Sequence, residues 1–217
     1  MELYLDTAKI EEIEEGVELG VVSGVTTNPS LLAKANPSAP IEHLKKICSI
    51  VNGPVSAEVV STNFKDMISE GLKIAKIAEN IVVKIPITED GLKATKVLSK
   101  ENIAVNMTLI FSESQAILAS LVGAAYISPF IGRLDDISYD GMNLVKSISE
   151  ILNITNSKSK IIAASVRHPL HVVQAAKAGA HIATVPFKTI KQLVQNPLTD
   201  IGLEKFLKDS KGISIVN

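Results

Sequence analysis

The stretch IVVKIPITEDGLKATKVLSKENIAVNMTL, residues 81–109, decides the fold. Its first run, Ile81 to Ile85, is short, apolar and β-branched, as a strand buried on both faces is. A helical pattern follows from Glu89 to Lys100, opened by Thr88 as cap and Glu89 in the first turn. A second apolar run, Ala104 to Leu109, completes the unit. Strand, helix and strand in this order spell a parallel sheet with crossover helices. One residue interrupts the first apolar run, and it is Lys84.

The same alternation extends in both directions. Strand candidates are Leu3 to Asp6, Gly24 to Thr27, Val55 to Val60, Tyr126 to Phe130, Ile161 to Ser165 and Ile182 to Val185, which with the two above make eight. Helical patterns lie near Lys9 to Leu19, Ile41 to Val51, Phe64 to Ala78, Ser112 to Val122, Asp140 to Leu152, Pro169 to Ala178 and Thr189 to Gln195. Ser112 with Glu113, and Pro169, supply further helix-start signals. A last helix, Asp200 to Asp209 with Thr199 as cap, falls outside the eight units. No linker or composition break appears, so residues 1–217 are expected to form one (β/α)8 barrel domain, with 199–217 as a C-terminal helix and tail. Closure leaves no edge strands to protect, which ranks the barrel above an open doubly wound sheet. The turn after the first strand, Thr7-Ala8-Lys9, carries no glycine-rich phosphate loop, which speaks against a dinucleotide fold.

At 217 residues and 46% hydrophobic, the chain can bury one substantial core. Its 22 basic and 23 acidic residues leave a formal net charge of −1. No large field then draws in nucleic acid or an anionic membrane, and any anionic ligand has to be held locally. The single cysteine, Cys48, sits in the helix-like stretch Ile41 to Val51 and reads as a core thiol. The first residues show no basic start followed by an apolar run, and no apolar stretch reaches the roughly 18 residues of a membrane span. The expectation is a soluble, cytoplasmic protein.

Side chains alternate along a strand, so every second residue of a barrel strand enters the lumen. Lys84 shares a side with Val82, against Ile81, Val83 and Ile85 on the greasy face. Ser56 and Glu58 share the inner side of the third strand, and Ala104, Asn106 and Thr108 that of the fifth, against Val105, Met107 and Leu109. Asp6, Thr26, Asn28, Ser128, Phe130 and Ser165 extend the set on other strands. All lie at carboxyl ends, the face on which barrels carry their active sites, whereas a structural lumen would be layered with Val, Ile and Leu. An ammonium held among apolar walls loses hydration, which favours the free amine that attacks carbonyls. Glu58 and Asp6 are the carboxylates placed for the accompanying proton transfers. Plainer readings stand beside these: Glu58 as the lysine's salt-bridge partner, Asp6 as a helix cap, Asn28 before Pro29 as a turn residue.

For an anion the candidates are Arg133 just after the sixth strand, and Ser165 with Arg167 just after the seventh. A forked guanidinium matches phosphate, and late βα loops of barrels often hold one. The plainer reading pairs Arg133 with Asp135 or Asp136. Lys188, after the eighth strand, leaves a two-lysine aldolase open. His168 and His171 lack a third ligand nearby in sequence, so a metal site is not expected there, and His43 and His181 read as ordinary helix or strand-edge residues.

Together these segments resemble the transaldolases, in the short subfamily that also holds the fructose-6-phosphate aldolases. The resemblance rests on Leu5-Asp6-Thr7-Ala8, Gly24-Val25-Thr26-Thr27-Asn28-Pro29, Val55-Ser56-Ala57-Glu58-Val59, Val83-Lys84-Ile85-Pro86, Asn106-Met107-Thr108-Leu109-Ile110-Phe111, Ser128-Pro129-Phe130-Ile131-Gly132-Arg133 and Ala164-Ser165-Val166-Arg167. It implies a Schiff base on Lys84, proton handling by Asp6 and a catalytic water held by Glu58 and Thr108. It implies dihydroxyacetone contacts from Asn28, Asn106 and Ser128, with Thr26 and Phe130 also lining the substrate site, and phosphate contacts from Arg133, Ser165 and Arg167. The aldolase branch is similar but has Gln at the Glu58 position and Tyr at the Phe130 position, so both residues here imply a transaldolase, working without cofactor or metal on sugar phosphates of the pentose phosphate pathway. The alternatives are a fructose-6-phosphate aldolase that releases dihydroxyacetone and a non-catalytic sugar-phosphate-binding barrel. The resemblance further implies a homo-oligomer, a pentamer or decamer in which the last helix reaches a neighbour. Many relatives carry tryptophan where this chain has Ser210, which would weaken that contact.

Overall fold

The computed structural model describes residues 1–211. Eight strands, β1 (Glu2–Asp6), β2 (Val22–Thr26), β3 (Val55–Glu58), β4 (Ile81–Pro86), β5 (Val105–Ile110), β6 (Tyr126–Pro129), β7 (Lys160–Ala163) and β8 (Ile182–Val185), pair in chain order, all parallel, and β8 returns to β1. The barrel is closed. Around it run α1 (Ile10–Glu18), α2 (Pro29–Ala35), α3 (Pro40–Ile50), α4 (Phe64–Ala75), α5 (Glu89–Lys100), α6 (Glu113–Leu121), α7 (Ile131–Asp135), α8 (Gly141–Ile154), α9 (Pro169–Lys177), α10 (Phe187–Leu193) and α11 (Pro197–Asp209). Among the described residues no helix is long and apolar enough to cross a membrane.

Local chemistry starts the helices where the strands end. Thr88 accepts a bond from the Gly91 amide and Ser112 from the Gln115 amide, each satisfying a first-turn donor that the helix leaves unpaired. Pro169 occupies the first turn of α9. The last helix starts earlier than expected: Asn196, not Thr199, is its cap, accepting from the Leu198 amide ahead of Pro197. Two helices carried too little pattern to be read, α2 with seven residues and α7 with five. Residues 212–217 of the expected tail lie outside the described residues.

Outward-facing strand residues and the inner stripes of the helices make the main core. Val83, Ile85, Val105, Met107 and Ile127 are fully buried there, and Cys48 joins them from α3, burial pushing its thiol up to about 11. A smaller cluster of Tyr4, Ile162 and Ile182, with Tyr126 against it, plugs the lumen. A Cβ on Gly24 would stand 2.7 Å from the Tyr4 ring and 2.8 Å from the Pro54 carbonyl, so glycine on β2 leaves room for the tyrosine. His43 bonds the Ala8 carbonyl and His181 accepts from the Ile161 amide, both structural roles.

One strand departs from simple alternation. Leu109 was expected beside Val105 and Met107 on the greasy face, but the β5–β6 register shifts between Met107 and Ile110 and Leu109 has φ of 61°. The break sends Ile110 into the core and turns Leu109 toward the barrel mouth.

Candidate active site

Lys84 lies on β4 with its Cα beside Glu58 of β3 on one side and Asn106 of β5 on the other. Its Nζ is 3.0 Å from Glu58 Oε2 and donates to the Thr27 carbonyl at 3.3 Å, in a side chain only 5% exposed. The apolar walls expected around the amine are therefore replaced, at its tip, by a carboxylate and a carbonyl. The salt-bridge reading of Glu58 is correct as geometry, and the same contact puts a proton acceptor beside the amine.

Asp6 ends β1 and takes a 2.7 Å hydrogen bond from Thr26 Oγ1, which lies 2.6 Å from Thr184 Oγ1. It caps no helix. Burial pushes its carboxyl up, while the Thr26 bond and the Lys84 charge pull the other way. Thr184 shares its side of β8 with Ile182, a period-two signal in the sequence that had drawn no functional reading. Across the lumen, Asn106 Nδ2 donates to Ser56 Oγ at 3.1 Å and Ser128 Oγ donates to Asn106 Oδ1 at 2.7 Å. This network fixes the Asn106 amide between β3 and β6.

Asn28 is a helix cap at the barrel mouth rather than a simple turn residue. Its Oδ1 caps α2 by accepting from the Leu31 amide at 2.9 Å, and its side chain lines the mouth, where the amide NH₂ is the group left to donate. Thr108 is fully buried, and among the described residues its Oγ1 has no hydrogen-bond partner, in a lobe it shares with Glu58 and Lys84.

Arg133 rises from α7 with its guanidinium 5.3 Å from the centre of the Phe130 ring, which Phe111 meets edge-on at 5.9 Å. Among the described residues it pairs with neither Asp135 nor Asp136. Asp136 instead accepts from Arg167 Nη2 at 2.8 Å. Asp135 takes the Gly141 amide and stands 3.1 Å from His171 Nε2. His171 Nδ1 accepts the Arg167 amide at 3.3 Å, so this histidine braces the arginine's loop. Burial and the neighbouring His168 hold its pKa below the ordinary imidazole value, against the pull of Asp135. A Cβ on Gly132 would collide with the Ser165 carbonyl and the Arg167 side chain. Absence of that atom lets α7 and the loop after β7 close together, bringing Arg133, Ser165 and Arg167 to one cavity.

That cavity is lined by Asp6, Thr26, Asn28, Lys84, Asn106, Ser128, Phe130, Arg133, Ser165, Arg167, Thr184 and Ala164. Glu58 and Thr108 face the adjoining lobe, which reaches Lys84 from the other side. The twelve candidate site residues thus line two adjoining spaces that share Lys84, while Ser56 supports them from behind through Asn106. Lys188 is exposed on α10 and lines neither space. Among the described residues no three His, Cys, Asp or Glu side chains are grouped to hold a metal ion.

A family model described as Transaldolase/Fructose-6-phosphate aldolase matches residues 3–214. The chain belongs to that family. Relatives in it include a probable transaldolase of Thermodesulfovibrio yellowstonii, 55% identical over 96% of this chain and 97% of that one. Probable transaldolases of Clostridium acetobutylicum and Clostridioides difficile are 56% and 54% identical, over 97% and 99% of this chain and 98% and 99% of theirs. Outside the transaldolase family, the chain resembles a crystal structure titled as a putative lactate oxidase of Pediococcus acidilactici, with TM-score 0.60 and 14% identity. The match covers 85% of this chain and 62% of that one. At that identity it speaks to the barrel fold alone.

Proposed function

We propose that this protein is a transaldolase acting through a Schiff base on Lys84, with residues 1–217 working as one domain. The observation that carries the reading is the buried Lys84 amine 3.0 Å from Glu58, at a mouth that also holds Asp6. The amine adds to the carbonyl of a ketose phosphate. The resulting carbinolamine loses water on receiving a proton from Glu58, relayed by a water that Thr108 Oγ1 also binds. Asp6 then takes the proton of the hydroxyl beside the bond to be broken. That carbon–carbon bond cleaves, its electrons pass into the iminium, and an aldose phosphate leaves an enamine on Lys84. An incoming aldehyde reverses these steps. Asn28, Asn106 and Ser128 hold the dihydroxyacetone hydroxyls, while Arg133, Ser165 and Arg167 take the phosphate. The reaction converts sedoheptulose 7-phosphate and glyceraldehyde 3-phosphate into erythrose 4-phosphate and fructose 6-phosphate, the pentose phosphate step, in the cytoplasm.

Glu58 and Phe130 favour this over an aldolase releasing dihydroxyacetone, because phenylalanine has no hydroxyl with which to relay a proton to the site water. The protein works as a homo-oligomer, a pentamer or decamer. Support comes from α11, which buries none of its residues within the chain.

The deciding experiment follows fructose 6-phosphate with and without erythrose 4-phosphate, in wild type and Lys84→Arg. Expected is glyceraldehyde 3-phosphate only when the acceptor is present, with sedoheptulose 7-phosphate rising alongside it. Borohydride should trap an adduct on Lys84 in the wild type and none in the variant. Free dihydroxyacetone at the same rate without acceptor would make the enzyme an aldolase. A trapped adduct in the folded variant would remove Lys84 from the role.

A further inference from the structure

Among the described residues, five non-glycine positions with positive φ besides Leu109 are asparagine or serine, namely Asn36, Asn102, Ser138, Asn156 and Ser165. Among residues with a Cβ, asparagine reaches the left-handed region at least cost, whereas a leucine there is destabilised by about 1–2 kcal/mol. Leu109 at 61° is the one bulky apolar member of the set. In a continuous strand it would face the helices with Val105 and Met107. The register break on β5 turns it instead into the lobe that holds Glu58, Thr108 and the Lys84 amine.

That lobe is chemically distinct from its neighbour. Asp6, Ser165 and Arg167 line only the first cavity, and Glu58, Thr108 and Leu109 only the second. Lys84 is common to both, as are Asn28, Phe130 and Arg133 at the shared rim. A phosphorylated chain held by Ser165 and Arg167 therefore approaches the amine from one side, and water beside Glu58 from the other. Leu109 is the aliphatic side chain that projects from β5 into the water side.

We infer that Leu109 is a shield on the water lobe, limiting solvent access to the enamine carbon and so setting how the three-carbon adduct divides between transfer and hydrolysis. The inference rests on the transaldolase reading above and names the control of that site. After cleavage the adduct is an enamine. In transfer, its carbon bonds to the acceptor's carbonyl carbon and the carbonyl oxygen takes the proton held by Asp6. In hydrolysis, the enamine carbon first takes a proton from solvent to give the iminium. Water then adds to the iminium carbon, passing a proton to Glu58. The carbon–nitrogen bond breaks as the nitrogen takes a proton back from Glu58 and the hydroxyl proton passes to water, and free dihydroxyacetone and the Lys84 amine separate. Both routes end when the water held by Glu58 and Thr108 adds to an iminium, but only the second needs solvent to protonate the enamine carbon, so a side chain that keeps further solvent out of the lobe suppresses it selectively.

The test uses Leu109→Gly and Leu109→Asn, since both residues accept positive φ and each removes the aliphatic cover without demanding a new backbone. With fructose 6-phosphate as donor, the ratio of dihydroxyacetone released to units transferred to erythrose 4-phosphate is expected to rise about fivefold in whichever variants fold, with Lys84 still trapped by borohydride. An unchanged ratio in a folded variant overturns the shield. So does a parallel fall of release and transfer, which would mean that the strained backbone merely aims Thr108. A wild type that traps no adduct overturns the transaldolase reading itself, whatever the variants do.

Discussion

At the barrel mouth Asp6 is a carboxylate placed where its charge is disfavoured. Burial raises its pKa above the ordinary aspartate value, and the Thr26 bond and Lys84 offset only part of that rise. The native state accordingly holds this proton more tightly than the unfolded chain does. The stability tied to this preference is present below the unfolded-state value and is lost as pH rises through the native one, so at neutral pH the ionised group is a net burden. Asp6→Asn keeps the shape and removes the charge. Thermal unfolding should show the variant more stable than wild type at pH 7, the gap closing toward pH 3, while kcat falls by roughly 100-fold or more with the loss of the proton acceptor. A variant less stable at pH 7 would mean that the contact with Lys84 dominates. At this scale the sequence was informative because strand alternation sorts residues by face without tertiary knowledge. Lys84, Glu58 and Asn106 were therefore legible. The Asp136–Arg167 pair was not, since it depends on α7 standing beside the loop after β7.

Elements were legible where period and caps agreed. α5 and α6, with Thr88 and Ser112 as caps, match the expectation, whereas α7 is too short for a 3.6-residue period to emerge. The bulge in β5 was hidden for another reason: Leu109 continues the apolar alternation perfectly well, and only closure against β6 breaks it. β2 shows the opposite case, in which one residue's smallness shapes a neighbouring element. Gly24 lies under the Tyr4 ring and against the Pro54 carbonyl, so β1, β2 and the segment before β3 meet at a point with no space for a methyl. Gly24→Ala should cost about 1–3 kcal/mol as the ring or the backbone yields. Urea unfolding would register this as a lower midpoint at unchanged slope. A midpoint equal to wild type would show that the lumen around Tyr4 has slack that its burial does not suggest.

For the whole molecule, the barrel accounts for nearly all the buried apolar surface and α11 for a concentration of the exposed. Leu198, Ile201, Leu203, Phe206 and Leu207 are each more than half exposed on one 13-residue helix, where a monomer normally shows scattered apolar residues rather than a run. Ser210 contributes only a hydroxyl bond back to the Leu207 carbonyl, so the apolar contact here depends on the helix itself. A helix this exposed gains nothing by ordering unless another surface covers it, and the proposed homo-oligomer supplies one by repeating the same chain around an axis. Replacing Ile201 and Phe206 together by aspartate places two charges in any such interface, and desolvating them opposes assembly. Sedimentation of the double variant should give a smaller species than wild type at equal concentration. Its barrel should stay folded, because neither side chain packs into the core, and borohydride trapping at Lys84 should persist. Identical sedimentation of the two proteins would place the subunit contacts elsewhere on the barrel and leave the exposure of α11 without this explanation.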